Sequence, residues 1–141
     1  MTATSDPDCL FCKIIAGDIP SRKVDEDEVS VSFLDIAPFH PGHSLVVPKR
    51  HVADFTEDPP ALAEITPAID RLSRTLIDRL DADGLNLFTS VGAVAGQEVF
   101  HLHVHLVPRY ADKPGLANLF GLKPPADDAD LEAVWRKITA S

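Results

Sequence analysis

From Phe100 to Leu106, apolar side chains alternate with histidines: Phe100-His101-Leu102-His103-Val104-His105-Leu106, flanked by Val99 and Val107. A period of two predicts a strand with one packed and one working face. His101, His103 and His105 then share one face, and Phe100, Leu102, Val104 and Leu106 the other. Same-side positions lie roughly 6.5–7 Å apart along a strand, so the outer two histidines stand about 13 Å apart at the backbone. One metal ion does not easily take all three. A neighbouring pair can ligate one with outside help, which leaves the third imidazole for acid–base or nucleophilic work. A lone histidine on a strand is usually a partly buried, hydrogen-bonded side chain. Packing has no use for three in register, and their protonation would be mutually repulsive, so the row points to function.

The rest of the chain predicts a small α+β frame of one antiparallel sheet with helices on a face. Its 141 residues amount to one domain, and an apolar fraction of 45% supports a core. Leu10, Phe11, Ile14 and Ile15, closed by Gly17, read as a short helix with a glycine stop. Val29 to Phe33 alternate as a strand that Leu34-Asp35-Ile36 extend, and Leu45-Val46-Val47 form its hairpin partner across Pro41-Gly42. Pro59-Pro60 open a long helix with Leu62, Ile65, Ile69, Leu72, Leu76 and Leu80 on one face, which Pro67 kinks early. Asp81 to Gly84 stop it, and Leu85, Leu87 and Phe88 suggest another strand. A tight loop, Gly92 to Gln97, leads into the histidine strand. Residues 110–128 are an irregular, proline- and glycine-rich connection, and Asp128 or Asp130 caps a last helix carrying Leu131, Val134, Trp135 and Ile138.

Thirteen basic against 22 acidic residues leave a net charge of −9. A general polyanion binder is excluded, because nucleic-acid polymers are held by basic clusters. No apolar run reaches the roughly 18–20 residues of a membrane span, and the polar, acidic start is unlike a signal peptide, so the expected location is the cytoplasm, without a membrane partner.

Cys9 and Cys12 are too few for a disulfide framework. Their two-residue gap suits one zinc ion or a dithiol redox pair, and zinc needs two more ligands, for which His51 and a triad member are at hand. Glycines in the 92–97 loop let backbone N–H groups approach an anion, and Gln97 adds a side-chain donor. Asp35, at the end of an apolar strand, suits ribose hydroxyls or a simple turn. Lys49, Arg50 and Arg109 are candidate phosphate partners or plain surface cations. His40 and His43 receive no role.

Taken together, four blocks resemble the histidine triad (HIT) superfamily: Cys9 to Gly17, Phe33 to Ile36, Pro41 to His51, and Gly96 to Arg109. The likeness is to the bacterial purine-nucleotide phosphoramidase-like branch. The galactose-1-phosphate uridylyltransferases carry a His-Pro-His-Gly-Gln motif absent here. The resemblance implies a HIT-like five-stranded antiparallel sheet with helices packed on it, continued across a homodimer. Residues 9–110 would be the HIT domain, 1–8 a flexible leader, and 111–141 a C-terminal extension with an irregular segment and a short helix.

It also implies a nucleotide hydrolase cleaving at the α-phosphate of purine nucleoside phosphoramidates or related adenylyl compounds through a covalent nucleotidyl-histidine. His103 would be the nucleophile and His105 a phosphate ligand. Substrate would further meet Ile14, Phe33, Leu34, Asp35, Ile36, Ser90, Gly96, Gln97 and Val99. Cys9, Cys12, His51 and His101 would hold one structural zinc per chain, and the chemistry would need no metal. Two residues depart from many relatives: Ser90 stands in place of asparagine, and Glu98 in place of serine. A carboxylate at Glu98 faces away from the phosphate or changes the substrate preference. Alternative readings are a dinucleoside polyphosphate hydrolase, a nucleotide-binding regulatory module with weak catalysis, and a zinc hydrolase using the triad as ligands.

Overall fold

The computed structural model describes residues 5–113, 115 and 123–140. Residues 1–4 of the expected leader, and 114 and 116–122 of the expected irregular connection, lie outside them. Five strands, β1 (Lys23–Glu26), β2 (Ser30–Leu34), β3 (Ser44–Pro48), β4 (Gly84–Phe88) and β5 (Val104–Arg109), build one sheet in the order β1-β2-β3-β5-β4. Every neighbouring pair is antiparallel. Three helices accompany the sheet: α1 (Leu10–Ala16), α2 (Pro59–Leu80) and α3 (Asp128–Thr139).

Both faces of the sheet are used. On β3, Val46 points to one side and packs with Ala61, Ile65, Ala68, Leu72 and Leu76 of α2, together with Leu102, Val104 and Leu106. Leu45 and Val47 point to the other and meet Phe11 and Cys12 of α1 with Val31 and Phe33 of β2. Alternation along a strand therefore makes two cores from one sheet. The α2 stripe differs slightly from expectation: Ala61 and Ala68 lie at its centre, and Leu80 is 40% exposed. Small side chains bring the helix close to the sheet, and the helix continues through Pro67 to a left-handed cap at Asp81. Gly17 ends α1 in the left-handed region at φ 87°, as its position predicted. Among the described residues no helix is long and apolar enough to cross a membrane.

Three expectations need correction. The strand Lys23–Glu26 escaped notice because its one apolar side chain, Val24, gives no alternation. The strand after Val29 stops at Leu34, so Asp35 and Ile36 lie beyond its end. The histidine strand begins at Val104 rather than Val99. Upstream of it the chain turns to the loop after β3: Leu102 N–H donates to Val52 O at 2.6 Å, and His101 Nε2 lies 2.8 Å from Pro48 O. As a result His101 and Leu102 are both buried, while Phe100 is 52% exposed.

Candidate functional site

β5 carries His105 opposite Leu45 of β3 and Phe88 of β4. The Phe88 ring stacks on the imidazole at 4.4 Å. His103 precedes the strand, and its Nδ1 lies 2.8 Å from the His101 carbonyl. A carbonyl oxygen only accepts, so Nδ1 carries the proton and Nε2 is left with a lone pair. Thr89 Oγ1 donates to His103 O at 2.6 Å and fixes the backbone, while the Phe11 ring stands nearly perpendicular to the imidazole with 5.0 Å between ring centres.

His43 completes this arrangement. Phe39 N–H donates to its Nδ1 at 3.1 Å, which leaves the ring proton on Nε2. That atom lies 2.9 Å from His105 Nδ1, so His43 donates and His105 holds its own proton on Nε2. One backbone amide thus sets two tautomers in sequence. Burial pushes all three rings below the ordinary imidazole range; His105 falls to about 4, with His103 and His43 adding to the effect. For His43 and His103, Asp35 pulls the other way. Asp35, His43 and His105 place a carboxylate and two imidazoles within 4.8 Å of one another. They are poorly suited to a metal, because the His43 nitrogen facing the group carries the proton.

His103 and His105 line a cleft of about 1080 Å³, ample for a nucleotide. Of the predicted substrate residues, Ile14, Phe33, Leu34, Asp35, Ile36, Gly96 and Val99 also line it. Arg22 is the one cation among the described lining residues. Ser90 and Gln97 do not line it. Gln97 is buried, and its amide is spent on the fold: Oε1 accepts from Gly92 N–H at 2.9 Å, and Nε2 donates to Ala53 O and Val99 O at 2.7 and 3.1 Å. The N–H groups of Ala95, Gly96 and Gln97 are likewise turned inward, on Gly92 O and Ala93 O. The donors left for an anion are one step further along. Glu98 and Val99 both line the cleft, and among the described residues their backbone N–H groups have no partner.

Behind His103 lies a second cluster, of Cys9, Cys12, His51 and His101. His101 Nδ1 lies 3.5 Å from each sulfur and 3.3 Å from His51 Nδ1, and Cys12 Sγ lies 3.4 Å from His51 Nδ1. A tetrahedral ion with about 2.3 Å bonds to sulfur and about 2.0 Å bonds to nitrogen holds its ligands roughly 3.3–3.8 Å apart. These four fit. The His101 Nε2–H donates to Pro48 O, the outer contact that leaves Nδ1 free as a ligand. Cys9 also caps α1, accepting from Cys12 N–H at 3.4 Å.

This fold and site define a class of small α+β proteins that offer histidines from one interior strand and the segment leading into it to a cleft beside a Cys–His cluster. The HIT domain family model matches residues 16–112, and the chain belongs to the HIT family. Protein hit of Bacillus subtilis is 45% identical over 121 residues, covering 85% of this chain and 82% of that protein. Adenylylsulfatase HINT3 of Arabidopsis thaliana is 38% identical over 109 residues, 77% of this chain and 55% of its own. The crystal structure of SMU.412c from Streptococcus mutans superposes with a TM-score of 0.88 at 42% identity, over 98% of this chain and 87% of that one. A Zn-bound histidine triad family protein from Mycobacterium smegmatis gives 0.73 at 36% identity, over 90% and 97%.

His43 is a candidate site residue to which sequence reasoning assigned no role. It stands in a turn, outside any alternating run, and only its place two residues before Leu45 of β3 sets it on the face of the sheet that carries His105.

Proposed function

We propose that the chain is a nucleotide hydrolase acting at the α-phosphate of purine nucleoside phosphoramidates and related adenylyl compounds through a nucleotidyl intermediate on His103. The observation that carries this reading is the His103 ring, bound at Nδ1 by the His101 carbonyl and left free at Nε2 on the wall of the cleft. Its Nε2 attacks phosphorus, and the P–N bond breaks with its electron pair going to nitrogen. That nitrogen takes a proton from solvent, since the neighbouring imidazoles are neutral with fixed protons. Nδ1–H stays on His101 O, so the intermediate is a phosphoryl-imidazolium, a good leaving group. Water then attacks phosphorus, and the nucleoside monophosphate and a proton depart.

His105 Nε2–H and the N–H groups of Glu98 and Val99 meet the phosphoryl oxygens. Asp35 accepts from the ribose hydroxyls; Ile14, Phe33, Leu34 and Ile36 hold the purine. Gln97, Gly96 and Ser90 act by bracing the loop rather than by touching the phosphate. Cys9, Cys12, His51 and His101 hold one structural zinc, which supplies a cross-link and no step of the reaction. The name of the Arabidopsis relative and the zinc of the mycobacterial structure support these readings. Paired thiols kept for a metal suit the cytoplasm.

The chain is further proposed to form a homodimer through β4. The other sheet edge, β1, is guarded by Lys23, Asp25 and Glu26, whereas β4 is uncharged with Leu87 exposed, and α2 also exposes Ile77 and Leu80. Light scattering at about twice the chain mass is the expected result.

Intact-mass spectrometry with an adenylyl donor tests the chemistry. Wild-type protein gains one adenylyl group, and His103→Asn gains none and turns nothing over. A wild-type protein without adduct or turnover on amidates, anhydrides and acyl-adenylates overturns the reading.

A further inference from the structure

We infer that Glu98 makes the cleft select its leaving group by charge, favouring an amine that bears a cationic group and disfavouring anions such as sulfate or oligophosphate. This deepens the proposed nucleotidyl transfer to His103 and rests on it.

Glu98 lines the same cleft as His103 and His105, and its neighbours hold its backbone in place. Gln97 before it is buried and hydrogen-bonded three ways, and Val99 after it is held through its carbonyl by the same Gln97 amide. Its own N–H is one of the two free backbone donors proposed for the phosphoryl oxygens. On that proposal the Glu98 side chain is carried by a residue that meets the phosphoryl group. The carboxylate is exposed and pairs with no cation among the described residues.

Where the carboxylate sits also decides which part of a substrate it meets. The apolar walls and Asp35 take the nucleoside, and the departing group lies opposite the attacking nitrogen, away from His103. A second cleft of about 420 Å³ shares Leu10, Glu98 and Val99 with the first, so it opens from it on the Glu98 side. Its remaining ionisable side chains outside the Cys–His cluster are Asp6 and Asp8. No lysine or arginine lines it among the described residues. Arg22, the cation of the larger cleft, is tied by its carbonyl to Leu34 N–H on the β1–β2 side. A leaving group that extends to this side meets Glu98, Asp6 and Asp8 and no lysine or arginine among the described lining residues of the second cleft.

At about 5 Å in water-like surroundings, one unit charge changes an interaction with another about fourfold, and salt screens it. The test is the ratio of kcat/KM for two adenylyl substrates: the phosphoramidate of a diamine with a free terminal ammonium, and adenylyl sulfate. Glu98→Gln is expected to lower that ratio about fivefold to twentyfold, and Glu98→Lys to lower it further. In the wild type the ratio should fall as salt rises from 20 mM to about 500 mM, a range spanning Debye lengths of roughly 20 Å down to 4 Å. An unchanged ratio in both variants, with wild-type adduct on His103 intact, overturns the role of Glu98 alone. Absence of any adduct in the wild type overturns the nucleotidyl-transfer reading and this inference with it.

Discussion

A neutral imidazole attacks only from the nitrogen that lacks the proton, so the placing of two protons decides what the triad can do. The His101 carbonyl settles His103, and the Phe39 amide settles His105 by way of His43. Replacing His43 with Phe keeps the bulk but frees the His105 ring. We expect kcat to fall about tenfold to a hundredfold with KM little changed, and the His105 ¹⁵N spectrum to show mixed tautomers; a purely structural role would move KM and stability instead. Burial gives these rings a pH signature. His105 is held near 4 against an unfolded value of 6.5, and His43 also lies below it. Between those limits the unfolded chain binds more protons, so stability is whole above about pH 6.5 and is lost as pH falls toward 4. Urea midpoints at pH 7.5 and 4.5 should differ accordingly, and kcat/KM should show no acid limb from His105 until about pH 4. The proposed catalytic histidines were legible because alternation marks a strand face; His43 was not, because a turn residue has no periodicity to betray its direction.

Elements are held by local choices that can be broken singly. Gly42 lies at φ +92°, and a Cβ there would meet the Leu80 side chain and approach Pro108 Cγ to 3.0 Å. Gly42→Ala should cost about 2–3 kcal/mol, read as a lowered urea midpoint at unchanged slope. Since Gly42 precedes His43, activity should fall before the fold is lost. Most elements were readable from pattern: the glycine stop of α1, the alternation of β2, the one-sided leucines of α2. β1 was hidden because an edge strand needs charge, not alternation. The start of β5 was misplaced because two long-range bonds, Leu102 to Val52 and His101 to Pro48, outweigh the local period. The proposed phosphate donors follow from the loop's own bonds: the glycines form a closed turn in which the Ala95, Gly96 and Gln97 N–H groups bond to Gly92 O and Ala93 O, and the free ones follow it.

At the scale of the molecule, the proposed zinc joins three separate stretches: α1, the loop after β3 and the segment before β5. A chelator strong enough to strip it should lower Tm on the order of 10 °C, measured by calorimetry alongside metal content; an unchanged Tm with metal lost would refute a structural role. His101 ties that cluster to the proposed nucleophile, since its side chain belongs to one and its carbonyl holds the other. The charge of the cleft carries a different consequence. Its imidazoles are neutral and its free amides are uncharged, and its other charged lining residues among those described are Arg22, Asp35 and Glu98. A phosphate met by dipoles releases few counterions on arrival, and the two carboxylates outnumber the one cation. Adenosine monophosphate should therefore bind no more weakly in brine than in dilute buffer, and a spent dianion should leave without a Coulombic trap to hold it back.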